Sequence, residues 1–350
     1  MARTLEVMIA TPLEERLAQR IRDSDPRVRL WYDRGLLPTQ AYPGDHRGNT
    51  GFRRDDAGER AWSEMLARAE VLFGIPGDSP EGLRDAIDRG PRVRWVAATA
   101  AGAGEQVRAA RLPRRVLERV AVTTSSGVHA VPLAEFAMLG LLALAKDLRS
   151  LERARAARRW PARRRPVGEL RGRTLLVLGL GAIGQEVARL AAAFGMRVLG
   201  VRRTPRPVEH VDEVHATADL HELLPRAEAL VVTLPLTKET EGLLDAAALD
   251  ALPRGALLVN VGRGGVIDEE ALVERLRSRR IAGAALDVFA VEPLPPSSPL
   301  WELPNVLVSP HTAALSAHEN ERIVDLFIDN LRRYLAAEPL RNRVHPKALY

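Results

Sequence analysis

Late in the sequence, three side chains of chemically complementary type follow one another in three compact motifs: Arg263 in Asn260–Asp268 (NVGRGGVID), Glu292 in Asp287–Pro293 (DVFAVEP) and His311 in Ser309–Ala313 (SPHTA). A guanidinium is a planar fork that can grip a carboxylate in bidentate fashion and polarise a neighbouring carbonyl. An imidazole can give or take the proton of a hydroxyl. A carboxylate beside that imidazole holds it in its charged form. Taken singly, an Arg in a turn, a Glu before Pro and a His after Pro are ordinary surface residues. Together they are the set that reduction of a 2-keto acid requires.

Such a set must be held by elements, and the runs around it read as strands buried on both faces: Leu230 to Leu234, Ala256 to Val261 and Ala284 to Val288. The motifs stand at or just past the carboxyl ends of those strands, where ligands bind in open α/β sheets. Helical stretches such as Ala246 to Leu252 and Asp268 to Arg279 separate them. The second of these opens on Asp268, Glu269 and Glu270 and closes on Arg275, Arg277 and Arg279, matching both ends of its dipole.

The sheet these strands extend is announced by Thr174 to Arg203, a strand–turn–helix–strand unit. Leu175 to Leu178 form an apolar run, and Gly179, Gly181 and Gly184 follow in the spacing GxGxxG. Gly179 permits the tight turn, Gly181 lets a pyrophosphate approach the backbone, and Gly184 lets the helix sit close on the sheet. Ile183, Val187, Leu190, Ala191 and Phe194 recur at helical spacing until Gly195 stops the helix, whose open N-terminus suits phosphate. The next strand, Arg197 to Val201, ends in Arg202-Arg203-Thr204 where a carboxylate would meet the adenosine ribose of NAD. Two guanidiniums and a hydroxyl suit a 2′-phosphate, so NADP(H) is the expected cofactor, with NAD(H) possible.

The first 128 residues alternate in the same way, with strands expected at Leu5 to Ala10, Val28 to Tyr32, Val71 to Ile75, Val93 to Ala98 and Val120 to Thr124. Between Leu37 and Asp56 lies PTQAYPGDHRGNTGFRRDD, long for a connection and rich in Pro, Gly and charge. It reads as a functional flap or a mobile surface loop; the mobile loop is favoured, with Asp45, His46 and Arg47 as its chemical content. The small residues Ala100 to Gly104 leave backbone N–H groups accessible to a small carboxylate, making Ala101, Gly102 and Ala103 substrate-loop candidates. Ala130 to Leu148 reads as one strongly apolar helix, buried and plausible between domains. Arg149 to Arg165 then holds eight arginines around Trp160. It reads as a solvated helix end and arm touching a second subunit rather than nucleic acid.

Composition narrows the class further. With 350 residues and 46% hydrophobic content, two globular domains are expected. The absence of Cys excludes disulfides, thiolate catalysis and Cys-ligated zinc. His210, His215 and His221 fit no metal-ligand spacing, so no metal is expected. No long apolar stretch opens or crosses the sequence, which points to a cytoplasmic chain with no membrane partner. The net charge of +6 is carried almost wholly by Arg, with Lys only at 146, 238 and 347, so it does not by itself indicate a nucleic-acid partner.

The motif order GLGAIG, TLPLT (Thr233 to Thr237), NVGRGGVID, LDVFAVEP and SPHTA, with the earlier VPLAE at Val131 to Glu135, resembles the D-isomer-specific 2-hydroxyacid dehydrogenases, among them glyoxylate/hydroxypyruvate reductases and phosphoglycerate dehydrogenases. The resemblance covers nearly the whole chain. It implies two doubly wound parallel-sheet domains, a Rossmann cofactor domain (129–317) inserted into a flavodoxin-like substrate domain (1–128 and 318–350), with the helix Ala317 to Ala337 returning to the latter and the active site in the cleft. It implies Arg263, Glu292 and His311 as the catalytic trio, Asp287 on the nicotinamide amide and Ala101 to Gly104 as substrate loop. Cofactor contacts would fall on Gly179, Gly181, Ala182, Ile183, Gly184, Arg202, Arg203, Thr204, Leu234, Pro235, Thr240, Val261 and Gly262, and members of the family dimerise, so a homodimer is expected.

Two departures stand out. Arg202 occupies the position where NAD-using members carry Asp, and the stretch at 38 to 56 is longer than expected for the family. Formate dehydrogenases share the fold and pair their His with Gln, so Glu292 argues against that activity. The end at Tyr350 leads us to expect no regulatory domain of the kind long phosphoglycerate dehydrogenases append. A redox-sensing, NAD(H)-binding corepressor of the same fold is the alternative, since it can keep the same Arg, Glu and His.

Overall fold

Apolar runs too short to be helices and bounded by turns build two all-parallel sheets in the computed structural model, which describes residues 3–160, 162 and 166–345. The first holds β1 (Leu5–Ile9), β2 (Val28–Trp31), β3 (Val71–Phe73), β4 (Trp95–Ala97) and β5 (Ala121–Thr123) in the order β2-β1-β3-β4-β5. The second holds β6 (Thr174–Leu178), β7 (Arg197–Val201), β8 (Glu213–His215), β9 (Ala229–Val232), β10 (Ala256–Asn260), β11 (Ile281–Leu286) and β12 (Val306–Val308), in the order β12-β11-β10-β9-β6-β7-β8. Both orders reverse beside the first strand, as doubly wound sheets do, and both present their ligand edge at the carboxyl ends there. The fold is a Rossmann sheet together with a flavodoxin-like sheet. Among the described residues no helix is long and apolar enough to cross a membrane.

The chain forms two compact units, one from the residues up to His129 and from Leu315 onward, the other from Ala130–Ala314. In the first, the helix Glu319–Leu335 returns to cover the five-stranded sheet. Its Phe327 stacks on Trp95 at 5.1 Å and meets Phe73 edge-on at 5.0 Å, while Tyr334 stacks on Trp95 at 5.6 Å. In the second, β6, β9 and β10 are buried along their apolar lengths, and the helix Ala182–Ala193 lays Val187, Ala188 and Ala191 on them. Ile183 and Leu190 are only half-buried and Phe194 is exposed beyond the helix end, so the apolar stripe is narrower than its periodicity suggested.

Three expectations are corrected. The apolar helix spans Ala130–Ala145 and stops; Asp147 takes a left-handed conformation (φ 51°), and a second helix, Leu148–Ala156, starts there with no buried residue. The first of the pair is buried on one side only, since Leu139 is half exposed. The arm's Arg163, Arg164 and Arg165 lie outside the described residues. The loop at 38–56 is not a free surface loop: His46 is buried and its carbonyl accepts a 2.6 Å hydrogen bond from the Thr11 hydroxyl.

Candidate active site

The glycine turn after β6 is built as its steric logic requires. Gly179 has φ +106°, and a Cβ there would sit 2.9 Å from the Thr233 hydroxyl. At Gly184 a Cβ would come within 1.9 Å of the Gly179 carbonyl oxygen, so only hydrogen lets the helix start against the strand. Gly181, the residue before that helix, faces open space. The first helical amide paired within the turn is that of Gln185, to the Gly181 carbonyl at 3.0 Å, so the amides of Ala182, Ile183 and Gly184 form the helix's open end.

At the tip of β7 the Arg202 amide donates to the His215 carbonyl at 3.1 Å. Its Nη1 is buried and has no hydrogen-bond partner, while Arg203 and Thr204 are exposed. The open helix amides and the basic tip of β7 fit the phosphates of a nicotinamide dinucleotide. On the far side of β6, Leu234 and Pro235 follow β9, and the Thr240 hydroxyl closes their turn on the Pro235 carbonyl at 2.7 Å.

Arg263 is presented by a turn that β10 fixes. Asn260, polar and buried at the end of an otherwise apolar strand, accepts from the Gly262 amide and donates to the Arg263 carbonyl, both at 3.0 Å. Val261 and Gly262 are buried, and Arg263 itself is exposed. A Cβ on Gly264 would overlap the Phe289 carbonyl carbon at 1.9 Å, so this glycine brings the Arg263 turn directly against the loop that carries Glu292. Asn260 was missed in the sequence; the signal was a lone amide closing the run ALLVN.

Glu292 and His311 meet. His311 Nδ1 lies 2.7 Å from one Glu292 oxygen, and the other accepts the Phe289 amide at 3.0 Å. Partial burial pushes the Glu292 carboxyl up, but the hydrogen bonds from His311 and the Phe289 amide, with the charge of Arg263 adding, outweigh it and hold the group below its ordinary value. His311 itself has φ +55°, a left-handed conformation that costs a non-glycine residue about 1–2 kcal/mol. Asp287, buried at the end of β11, offsets that cost. Its Oδ1 accepts from the Ser309 hydroxyl (2.5 Å) and from the amides of Thr312 (2.9 Å) and Ala313 (3.0 Å), which fastens the turn on both sides of His311. The three bonds converge on Oδ1.

Arg263, Glu292, His311 and Asp287 thus gather on β10, β11 and β12 of the seven-stranded unit, together with the glycine turn and Arg202 on the same sheet. The loop after β4 belongs to the other unit. There Ala101 and Gly102 are exposed, whereas Ala103 begins the helix Ala103–Ala109 with its side chain buried.

The sequence pattern of the D-isomer specific 2-hydroxyacid dehydrogenase NAD binding domain matches residues 138–313. A glyoxylate reductase from Aeropyrum pernix is 37% identical over 257 residues, covering 71% of this chain and 75% of its own. The chain belongs to the D-isomer specific 2-hydroxyacid dehydrogenase family. A D-3-phosphoglycerate dehydrogenase from Methanocaldococcus jannaschii is 31% identical over 81% of this chain, which spans only 53% of that protein. Among solved structures, a family member from Xanthobacter autotrophicus Py2 in complex with NADPH and MES superimposes with a TM-score of 0.75 at 32% identity, covering 99% of this chain and 100% of that one. The dehydrogenase is therefore a nicotinamide-dependent 2-hydroxyacid oxidoreductase.

Proposed function

We propose that this dehydrogenase reduces 2-keto acids to D-2-hydroxy acids with NADPH preferred, Arg263 gripping the substrate carboxylate, His311 protonating the carbonyl oxygen and Glu292 holding that proton in readiness. The observation that carries the reading is the 2.7 Å contact between His311 Nδ1 and Glu292. With Nδ1 committed to the carboxylate, Nε2 is the ring position from which a proton can be delivered. A bound nicotinamide supplies the hydride to the carbonyl carbon. The protein's part is to place the oxygen before Nε2 and to spread its developing charge onto the Arg263 fork. Asp287 keeps the His311 turn in its strained shape, and its Oδ2 is assigned to the nicotinamide amide. Ala101 and Gly102, exposed in the loop after β4, are assigned to the substrate by their resemblance to the family's substrate loop. Rates of NADPH oxidation with glyoxylate, hydroxypyruvate and larger 2-keto acids test this; tight NADPH binding with no turnover of any of them would favour the corepressor instead.

Arg202 with its unpaired buried nitrogen supports the preference for NADPH. Arg202→Asp should move the ratio of kcat/KM for NADPH over NADH toward NADH by about tenfold or more, the equivalent of roughly 1.5–3 kcal/mol of lost charge-assisted hydrogen bonding. A parent enzyme that uses both cofactors equally well would refute the assignment.

The two consecutive helices expose Leu139, Leu148 and Leu151, with Trp160 beyond them 89% exposed. Apolar surface gathered in this way suits a second copy of the chain. We expect the mass of a homodimer in light scattering at micromolar concentration, and Leu151→Glu should drive it toward the monomer. A monomeric parent removes this expectation.

A further inference from the structure

The 38–56 loop and the crossover between units converge on one buried carboxylate. Glu319, 6% exposed, is the first residue of the helix Glu319–Leu335. One of its oxygens lies 3.0 Å from His129 Nε2, and His129 is the last residue of the first unit before the chain crosses over. The other faces the loop: Gly44 has φ +91°, and a Cβ there would stand 2.7 Å from Glu319 Oε2. Two residues on, the His46 amide donates to the Gly44 carbonyl at 2.9 Å, and the His46 carbonyl takes the Thr11 hydroxyl. Thr11 follows β1, and Gly74 after β3 abuts it so closely that a Cβ would meet Thr11 Cγ2 at 2.2 Å. The loop is therefore seated where the order of the five-stranded sheet reverses, the edge at which such sheets take ligands.

Packing economy does not account for this arrangement. Of the seven buried side-chain nitrogens and oxygens without a partner among the described residues, four belong to His46, Glu319 and Asn320. A buried carboxylate oxygen without a partner costs stability, so packing alone does not call for a Glu at 319.

We propose that Glu319 is a positioning residue for this edge: its carboxylate meets His129 at the crossover and packs, without a hydrogen bond, against Gly44 of the 38–56 loop, so that both are held to the start of the last helix. The inference rests on reading this edge as the substrate-facing one. Three variants test it, Glu319→Ala, Glu319→Gln and, as a control on the same helix, Leu331→Ala, whose side chain is 1% exposed in the core and belongs to no part of the loop contact. Hydrogen exchange should rise about tenfold or more at the amides of Asp45, His46 and Gly48 in Glu319→Ala. With NADPH held saturating, KM for the keto acid should rise about fivefold or more, by a larger factor than kcat falls. Glu319→Gln, which keeps the shape and can still meet His129, should stay nearer the parent in both. Leu331→Ala should lower the melting temperature with neither local effect. Loop exchange in Glu319→Ala no greater than in Leu331→Ala overturns the proposal. Faster loop exchange with an unaltered KM overturns the positioning role while leaving the chemistry at His311, which is measured separately, standing.

Discussion

Replacing His311 with alanine is expected to lower reductive kcat by about 10²–10⁴-fold across about pH 5 to 9, because the proposed proton donor to the carbonyl oxygen is gone. Glu292→Gln behaves differently. The Glu292 carboxyl is held below its ordinary value, so its contribution is in place above the usual carboxylate range and is lost only as pH falls through the lowered value. The parent therefore keeps this carboxylate charged through about pH 5 to 9. Glu292→Gln removes the negative charge 2.7 Å from Nδ1, so reductive kcat/KM should fall by about severalfold throughout that range, short of the loss in His311→Ala. The measurement is the reductive pH profile of parent and both variants. Parental kcat/KM in Glu292→Gln throughout that range would show that the pairing does not serve the reaction, and a fully active His311→Ala would dismiss the mechanism.

Gly184→Ala is expected to damage both fold and cofactor binding. Its Cβ would stand 1.9 Å from the Gly179 carbonyl oxygen and 3.1 Å from Val177 Cγ1, and the nearer neighbour is backbone, so the helix start must move. Such overpacking costs about 1–3 kcal/mol. Because the displaced residues carry the amides meant for the pyrophosphate, the Kd for NADPH should rise about tenfold or more. Gly181→Ala is the informative partner, since its Cβ meets nothing within 4 Å. It should melt near the parent and lose NADPH affinity alone. Thermal melts and fluorescence titration separate the two; Gly184→Ala with parental stability and affinity would refute the steric account of the turn.

Much of this was legible in the residues, for physical reasons. Strands buried on both faces write themselves as unbroken apolar runs, which is why β6, β7, β9, β10 and β11 were found to within a few residues. The three-residue edge strands β8 and β12 were not, because Glu213, Val214, His215, Leu307 and Val308 are only half-buried and carry no such pattern. The break before Leu148 lay in one residue, Asp147, whose short polar side chain tolerates a left-handed backbone, while the apolar run around it argued for continuity. The seating of the loop depends on Thr11 against His46 and on Glu319 against Gly44, contacts too distant in sequence for any local pattern to disclose. Asp287 is expected on the nicotinamide amide from the family resemblance, but its grip on the turn of His311 depends on contacts that the sequence does not disclose.

The aromatic lid over the five-stranded sheet has a consequence for how the protein is made. A ribosome delivers Phe73 and Trp95 early and Phe327 and Tyr334 only after the whole of Ala130–Ala314 has emerged. The seven-stranded unit can close as soon as its own segment is out, but its neighbour, begun first, must wait with Phe73 and Trp95 uncovered until the final helix arrives. A nascent chain of this protein therefore passes through a stage in which the older half is the sticky one, and chaperones that recognise exposed aromatic surface would meet it there rather than at the cofactor-binding half.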